Sequence, residues 1–402
     1  MDASAASLVR ASLGDKLKIA HVITRFIRGG ADENTLITCN GQAARGHEVV
    51  LIHGAETHPD ILARVDARVR VIAEPTLLRE ISPLADARCL VALRRHFEAL
   101  QPDLVHTHES KAGVLGRAAA KLAGVPLVVH GVHILAHLNS GPVKSAVYRA
   151  ADWAAAKVTD VFIDVSEGMR DAGIKAGMGR PDNHVVVESG MDLKAFRSAE
   201  APSDAMTQLA ALEPANPLFI LAAGALEPRK RIVEFLPVFA RLAAEASDVC
   251  LLIAGDGPER QKLHAEIERL GLSRRVAHLG HRADLASWIA LADVCVHCAE
   301  REGLPRVVVQ YAASGKPIIV GALPGISRIV RDGETGFVTD LADLDAMRAP
   351  LLRLVKDADL RARMGAAAAA LDLDAWSDER MVVRVEEAYQ AALAKAARRA
   401  AN

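Results

Sequence analysis

Three features common in secreted and membrane proteins are missing from this sequence. Five cysteines in 402 residues form an odd, sparse set, which argues against a disulfide framework and for a reducing compartment. The first 16 residues, a predicted loose tail, lack the apolar core of a signal peptide. No hydrophobic run has the length of a membrane span. We therefore expect a cytoplasmic protein, and peripheral contact with a membrane stays open.

An excess of positive charge is also missing. Residues 1–200 hold 24 lysines and arginines against 23 acidic residues, and the remainder holds 25 against 27, for a net charge of -1. Because a nucleic-acid-binding protein would show a basic excess, no nucleic-acid partner is expected. Hydrophobic residues make up 51% and charged residues 25%, which is typical of a packed globular protein. The length predicts two domains.

Apolar, strand-like runs alternate with helical stretches along most of the chain. The first half opens with LKIAHVI (17–23), then Gly29-Gly30, a helical stretch and the strand HEVVLIHG. The alternation breaks at a proline-rich junction and restarts with LFILAAGAL (218–226). This pattern predicts two doubly wound α/β domains in tandem. The expected parts are a tail (1–16), a first domain (17–199), a linker (200–217), a second domain (218–374) and a C-terminal helix (375–402) that crosses back to the first domain.

Candidate binding residues fall at the carboxyl ends of predicted strands, where parallel sheets bind their ligands. Gly29-Gly30 follows the first strand, but the full G-x-G-x-x-G fingerprint is missing, so dinucleotide binding gets little support. His108 and His133 end two later strands. Each is a candidate metal ligand, a substrate-orienting group or a histidine satisfied by backbone groups. No His-x₃-His pair with a carboxylate partner supports the metal.

The most informative stretch is CAEREGLPRVVVQYAASGKPIIV, residues 298–320. It predicts a loop, a short helix with Pro305 in its first position, and a strand, with Glu302 and Gln310 eight residues apart. The N–H groups at a helix start and the helix dipole bind anions. A carboxylate beside such a helix suggests a phosphorylated polar ligand, such as a nucleotide sugar. An ordinary α/β loop is the competing interpretation.

Nine segments carry a resemblance to a known family. In the second half they are GALEPRK (224–230), IAGDGPER (253–260), LGHRADL (279–285), REGLPRVVVQYAASGKPIIV (301–320) and GISRIVRDGETGFV (325–338). In the first half they are HVITRFIRGGADENTL (21–36), PDLVHTHESKAGVLGR (102–117), HGVH (130–133) and VSEGMR (165–170). In this order, over roughly residues 17–395, the chain resembles the retaining nucleotide-sugar glycosyltransferases of family GT4, glycosyl transferases group 1. The resemblance implies the GT-B fold, two Rossmann-like domains facing each other across a cleft.

The resemblance also implies roles for particular residues. Lys230 matches the lysine that neutralises the donor diphosphate, Glu302 the acidic residue that binds the donor sugar, and His133 the active-site histidine. These three are the predicted catalytic residues. The predicted donor-binding residues are Gly29, Gly30, Gly224, Arg229, Lys230, Arg282 (through its main chain), Glu302, Gly303, Leu304, Arg306 and Gln310. His108 and Lys111 are candidates for the acceptor side.

Two positions depart from the family pattern. The second glutamate, a ribose ligand in the family, is Gln310 here, which keeps an acceptor oxygen but loses the charge. The arginine that usually follows the loop glycine is Ala225, although Arg229 could substitute for it. Both changes indicate weaker or altered donor binding. A weakened homologue acting as a non-enzymatic partner is therefore one alternative function, and a GT-B nucleotide-sugar hydrolase or epimerase is another.

The leading prediction is a metal-independent, cofactor-free, retaining glycosyltransferase. It would move a sugar from a UDP- or GDP-linked donor to a glycan or lipid-linked acceptor, in the synthesis of cell-surface polysaccharide or lipopolysaccharide. In this hypothesis the donor's phosphate oxygen assists departure and accepts the acceptor's proton, so no protein nucleophile is required. Consistently, no nucleophile–base pair stands out in the sequence. Arg79, Arg88, Arg94 and Arg95 could form a basic face near anionic lipid at the inner membrane. A solvated helix face paired with acidic neighbours is the competing interpretation.

Overall fold

The computed structural model describes residues 16–27, 29–133, 135, 141–214, 216–302 and 305–401. The chain divides into two units, Met1–Met191 with Ala375–Asn402, and Asp192–Asp374. Each unit is built on one parallel β-sheet, with helices in the connections between its strands. Among the helices described, none is long and apolar enough to cross a membrane.

The first unit follows the alternation predicted from the sequence. Its elements are β1 (Lys18–Phe26), α1 (Gly30–Ala44), β2 (Glu48–Thr57), α2 (Pro59–Leu62), β3 (Arg70–Ala73), α3 (Pro83–Leu100), β4 (Leu104–His108), α4 (Ser110–Leu122), β5 (Leu127–Val132), α5 (Pro142–Ala156), β6 (Val161–Asp164), α6 (Glu167–Lys175) and β7 (His184–Val186). The strand order in the sheet is β3-β2-β1-β4-β5-β6-β7, with all pairs parallel.

The second unit repeats the plan with six strands. Its elements are α7 (Leu193–Arg197), α8 (Ala205–Gln208), β8 (Leu218–Ala223), α9 (Ile232–Glu245), β9 (Val249–Ala254), α10 (Arg260–Arg269), β10 (Val276–Gly280), α11 (Leu285–Leu291), β11 (Val294–His297), α12 (Arg306–Ala313), β12 (Ile318–Gly321), β13 (Gly336–Thr339), α13 (Arg348–Lys356) and α14 (Ala358–Ala369). The sheet order is β10-β9-β8-β11-β12-β13, which is the 3-2-1-4-5-6 order of the Rossmann fold.

The last helix, α15 (Asp378–Ala401), belongs to the first unit. It packs against α1, β5 and β6. Tyr389 and Leu393 on α15 are fully buried, in a cluster with Ile19 of β1 and Leu127 of β5. Burying side chains of this size contributes roughly 1.5–3 kcal/mol each, so α15 is part of the core of this unit.

The cores explain why the central strands read as continuous apolar runs. A parallel sheet with helices on both faces buries both sides of each strand. In the second unit, Phe235 and Phe239 of α9 are fully buried against Ile220 of β8 and Leu251 of β9. Polar side chains inside such strands need hydrogen-bond partners, which makes buried histidines in this fold informative.

Each sheet has one point where the strand order reverses. In the first unit it lies between β1 and β4, and in the second between β8 and β11. The two connections leave the sheet in opposite directions there, so a crevice forms outside the carboxyl ends of the strands. Gly29 and His108 lie at this point in the first unit, and Gly224 and Glu302 in the second.

Candidate functional site

A pocket of about 280 Å³ lies at the reversal point of the second sheet. The end of β8, the loop after β11 and the first turns of α12 form most of its walls. Its lining includes Gly224, Lys230, Leu285, Glu302, Arg306 and Gln310. Five of these six are residues that the resemblance assigned to donor binding, and the structure brings them together in one unit.

Glycine shapes the loop that carries Lys230 into this pocket. Gly224 has φ +156° and Gly255, which follows β9, has φ +149°, values that L side chains rarely adopt. A Cβ atom on Gly255 would lie 1.8 Å from the carbonyl oxygen of Gly224. The two loops can therefore approach only because position 255 has no side chain. The short 3-10 helix Pro228–Lys230 follows and directs Lys230 inward.

The carboxylate of Glu302 receives two cations. Lys230 Nζ and Arg229 Nη1 both donate to Glu302 Oε1, the latter at 3.1 Å. The side chains of Lys230 and Glu302 are only 13% and 11% exposed, whereas that of Arg229 is 47% exposed. Charge-assisted hydrogen bonds strengthen away from water. An anionic ligand in this pocket would compete with Glu302 for Lys230 and leave the carboxylate available to accept from hydroxyl groups.

Helix α12 forms the wall opposite the glycine loop. Its first residue is Arg306 and Pro305 is its N-cap, so the helix starts one residue later than predicted. Arg306 and Gln310, one turn apart, both line the pocket. Gly303 and Leu304 lie outside the described residues.

A buried tyrosine on α12 fixes the helix to the sheet. The hydroxyl of Tyr311 accepts from the backbone N–H of Ala223 at 2.8 Å and donates to the carbonyl oxygen of Val296 at 3.5 Å. Tyr311 is fully buried. These bonds link α12 to β8 and β11, the two strands between which the sheet order reverses.

The side chain of Arg282 is hydrogen-bonded to a neighbouring carboxylate beside the pocket. Its Nε and Nη2 donate to the carboxylate of Asp284 at 2.7 and 2.6 Å, and its guanidinium lies 4.9 Å from the centre of the Trp288 ring. Leu285, three residues later, lines the pocket. The predicted contact of a base with the main chain of Arg282 stays a prediction.

His297 is a residue that the sequence analysis missed. It ends β11 and is 3% exposed. Burial, and then the positive charges of Lys230 and Arg229, lower the pKa of His297 to about 3. The imidazole is therefore neutral next to the two cations. The sequence feature that could have identified His297 is its position at the carboxyl end of a predicted central strand.

Histidines occupy the reversal point of the first sheet. The register pairs His21 with His106 across β1 and β4, and His108 with Gly131 across β4 and β5. Because side chains alternate along a strand, His106 and His108 lie on one face, together with His21. The Thr107 hydroxyl lies on the other face, 2.9 Å from His130 Nδ1.

These side chains form a chain of hydrogen bonds. His21 Nε2 lies 2.8 Å from Gln42 Oε1, and His21 Nδ1 lies 3.0 Å from His108 Nε2. His108 Nδ1 in turn lies 3.0 Å from His133 Nε2. Burial lowers the pKa of His21 to about 4 and that of His108 well below its ordinary value. Both ring nitrogens of His108 thus have hydrogen-bond partners, and through one of them His108 holds the ring of His133 in place.

Three of these imidazoles are close enough to hold a metal ion. One ring nitrogen each of His21, His106 and His108 lies within 4.8 Å of the others. The 3.0 Å separation of His21 Nδ1 and His108 Nε2 is a hydrogen-bond distance. Zinc, bound at about 2.0–2.1 Å from each nitrogen, would hold two ligand nitrogens farther apart. The absence of a metal stays a prediction.

The Gly29-Gly30 loop packs against the carboxylate of Asp32. Gly29 is the N-cap of α1, and a Cβ atom there would lie 2.7 Å from Asp32 Oδ2. Asp32 Oδ1 accepts from the N–H of Ile27 at 3.2 Å. Glycine at position 29 therefore makes room for Asp32, and the predicted contact of this loop with donor phosphates stays a prediction.

Two charged residues flank the start of α4. Glu109 has φ +61°, an uncommon conformation for a residue with a side chain, and its carboxylate accepts from the backbone N–H of Arg25 at 3.2 Å. Burial, followed by the charge of Asp32, raises the pKa of Glu109. Lys111, the acceptor-side candidate, is 2.5 Å from Asp86 of α3. Its ammonium is thus held by the neighbouring helix.

Sequence comparisons find relatives along most of the chain. Residues 208–371 match the model of glycosyl transferases group 1, and residues 29–190 match that of the glycosyl transferase 4-like domain. The UDP-Gal:alpha-D-GlcNAc-diphosphoundecaprenol alpha-1,3-galactosyltransferase of Escherichia coli is 31% identical over 86% of this chain and 90% of its own length. A D-inositol 3-phosphate glycosyltransferase of Streptomyces scabiei is 30% identical over 72% of this chain and 68% of its own.

Solved structures match the fold. Anabaena HepE in complex with UDP and glucose superimposes with a TM-score of 0.77 at 22% identity, covering 93% of this chain and all of its own. WaaG, a glycosyltransferase involved in lipopolysaccharide biosynthesis, gives a TM-score of 0.69 at 16% identity over 92% of this chain and 98% of its own. The expected fold class, GT-B with two Rossmann-like domains, is confirmed.

Proposed function

This chain belongs to the glycosyl transferases group 1, and we propose that it transfers a sugar, with retention of configuration, from a UDP- or GDP-linked donor. The observation that carries this proposal is the second-unit pocket, in which Lys230 and Glu302 meet beside Gln310. A cation for a diphosphate and a carboxylate for hydroxyl groups are the two features that a nucleotide sugar requires.

Lys230 and Arg229 bind the diphosphate as its charge develops on departure, which is electrostatic stabilisation of the leaving group. Glu302, released from these cations, accepts hydrogen bonds from the sugar hydroxyls, and Gln310 contacts the ribose. The resemblance assigns His133 to the sugar as well. A uridine nucleotide is supported by two relatives, the Escherichia coli enzyme named for UDP-Gal and HepE, solved with UDP.

The proposed acceptor is a glycan or a lipid-linked sugar used in cell-surface polysaccharide or lipopolysaccharide synthesis. The Escherichia coli relative is named for an acceptor on diphosphoundecaprenol. Such an acceptor requires contact with the cytoplasmic face of a membrane, and the proposed basic surface is made of Arg79 and the arginines of α3. Arg94 is paired with Glu98 at 2.7 Å, so this contact would depend on the other arginines of the face, Arg79, Arg88 and Arg95.

The chemistry is proposed to need no metal. With Lys230 and Arg229 on the diphosphate, the leaving group is neutralised by the chain itself. The departing phosphate oxygen then accepts the proton of the attacking hydroxyl. Transfer that is unchanged after exhaustive chelation is the expected outcome, and loss of activity that Mg²⁺ or Mn²⁺ restores would contradict it.

A donor screen read by mass spectrometry identifies the sugar, and two substitutions then test the site. Lys230→Met and Glu302→Gln should each lower kcat/KM about 100-fold or more, the order of loss seen when one stabilising group is removed. The matched control is Lys262→Met, which removes an exposed lysine paired with Glu259 at 2.9 Å in the same unit. Turnover unchanged by Lys230→Met would refute the assignment.

Two further results would favour the alternative functions. Release of sugar from the donor without any acceptor, as fast as transfer, would indicate a hydrolase. No binding of UDP, GDP or their sugars in calorimetric titration would exclude the enzyme and leave a non-enzymatic partner.

A further inference from the structure

In the chain of hydrogen bonds from Gln42 to His133, each contact has a defined donor and a defined acceptor. We call Gln42, His21, His108 and His133 the histidine relay. It has three links, of 2.8, 3.0 and 3.0 Å, and all four residues belong to the first unit. Gln42 and His21 are fully buried and His108 is 2% exposed, so the two inner histidines are shielded from water.

Counting protons determines which nitrogen of each ring is protonated. A neutral imidazole has one N–H donor and one acceptor nitrogen. Gln42 meets His21 with its amide oxygen, which can only accept, so His21 donates from Nε2. His21 Nδ1 must then accept, and His108 donates to it from Nε2. By the same step, His108 Nδ1 accepts and His133 donates from Nε2.

The amide of Gln42 has a second contact on its nitrogen side. Its Nε2 donates to the hydroxyl of Tyr389 on α15 at 3.3 Å, and that hydroxyl lies 2.6 Å from His106 Nδ1. Burial raises the pKa of Tyr389, so the phenol keeps its proton. It can therefore accept from Gln42 and donate to His106. Rotating the amide by 180° would reverse every donor in the relay.

The backbone makes room for this arrangement at Gly131. A Cβ atom there would lie 3.1 Å from each of three ring nitrogens, His106 Nε2, His108 Nδ1 and His133 Nε2. Such contacts are tighter than carbon normally tolerates. Glycine at this position of β5 therefore lets three imidazoles converge on one point of the sheet.

We propose that Gln42 is a positioning residue that fixes the tautomer of His133, with the proton on Nε2. In its neutral form, His133 then presents Nδ1 as a hydrogen-bond acceptor, which suits a group that carries a proton, such as a hydroxyl. That this hydroxyl belongs to a sugar rests on the proposed function. The tautomer itself does not, because it follows from contacts within the first unit.

Nitrogen NMR of the full-length protein, deuterated and labelled with ¹⁵N-histidine, tests the proposal directly. Comparison with His133→Gln assigns the two ring nitrogens of His133. We expect the Nε2-protonated tautomer to dominate by about fivefold or more, the ratio that one net hydrogen bond of about 1 kcal/mol sets. In Gln42→Met, which keeps the length but removes both amide contacts, the ratio should fall towards one.

Two more variants separate positioning from a general structural effect. Tyr389→Phe leaves the relay intact but removes the hydroxyl that accepts from the Gln42 amide N–H, so the amide can rotate and the ratio should also fall, even if Gln42→Met does not fold. Thr38→Val removes a buried hydroxyl on the same helix, bonded to the carbonyl oxygen of Asn34 at 2.7 Å, and should leave the ratio unchanged. Thermal melts place all three variants on one stability scale.

Three results would overturn the proposal. They are a His133 protonated on Nδ1 in the unaltered protein, a ratio that Gln42→Met and Tyr389→Phe leave unchanged, and a stoichiometric metal bound to His108, which could not then donate to His21. The readout needs no substrate. Absence of transfer activity would refute the proposed function and leave the tautomer measurement valid.

Discussion

Replacing Gln310 by glutamate would restore the family's carboxylate in the second-unit pocket. Gln310 lines that pocket in the second turn of α12. A hydrogen bond to a charged acceptor contributes roughly 1.5–3 kcal/mol, against about 1 kcal/mol for a neutral pair. If position 310 contacts a ribose hydroxyl, Gln310→Glu should therefore strengthen donor binding by about 0.5–2 kcal/mol before any competing effect is counted.

The structure identifies one competing effect. Arg306 lies four residues before Gln310 on α12, the spacing at which helical side chains of opposite charge attract each other by roughly 0.2–0.5 kcal/mol. The new carboxylate would have to leave that pairing to accept from the ribose. The expected net gain is therefore about 1 kcal/mol, or roughly a fivefold lower Kd.

Isothermal titration with UDP and GDP measures this change without needing the sugar. Gln261→Glu is the matched control, because it makes the same substitution at an exposed position of α10 in the same unit. Gln310→Met should weaken binding, since it removes the acceptor oxygen. Tighter binding in both glutamate variants would indicate a general charge effect. Weaker binding in Gln310→Glu alone would refute the ribose contact.

Two further predictions concern stability. The pKa of His297 is about 3 when folded and about 6.5 when unfolded, so the unfolded chain binds more protons between these values and stability falls as the pH drops below 6.5. The loss from pH 7.5 to pH 5.5 is on the order of 1 kcal/mol. In urea unfolding, the stability of His297→Asn should depend less on pH by this amount, and an equal pH dependence in both proteins would contradict the prediction. Tyr311→Phe leaves the buried N–H of Ala223 without its acceptor, which should cost about 1–3 kcal/mol in the same assay, whereas Tyr148→Phe on α5 should cost less. A cost for Tyr311→Phe no greater than that for Tyr148→Phe would contradict a special role for the Tyr311 hydroxyl.

Much of the fold was predictable because its strands are buried on both faces. Runs such as LKIAHVI and LFILAAGAL stand out against their helical surroundings, and their spacing matches the strand–helix alternation of the structure. The strand β3 was not predicted. It is a short edge strand whose Val71 is 40% exposed, so it lacks the apolar run that marks the others.

The candidate site was predictable by two different routes. Lys230 and Glu302 are 72 residues apart; Glu302 was singled out by its place before a predicted helix start, whereas Lys230 was assigned only by the family resemblance. Gln42 and Tyr389 could not be found in this way. They lie inside helices and are 347 residues apart, and only the packing of α15 on α1 brings them together.

The two departures from the family pattern, Ala225 and Gln310, change the local charge in opposite senses. Losing an arginine at Ala225 removes one positive charge, and losing a glutamate at Gln310 removes one negative charge. Position 225 is exposed next to Gly224, and Gly224 and Gln310 line the same pocket. The two changes cancel in formal charge, but Ala225 is not among the residues that line the pocket, whereas Gln310 is. Gln310 is thus the departure with the more direct effect on donor binding, and Gln310→Glu is the variant that measures it.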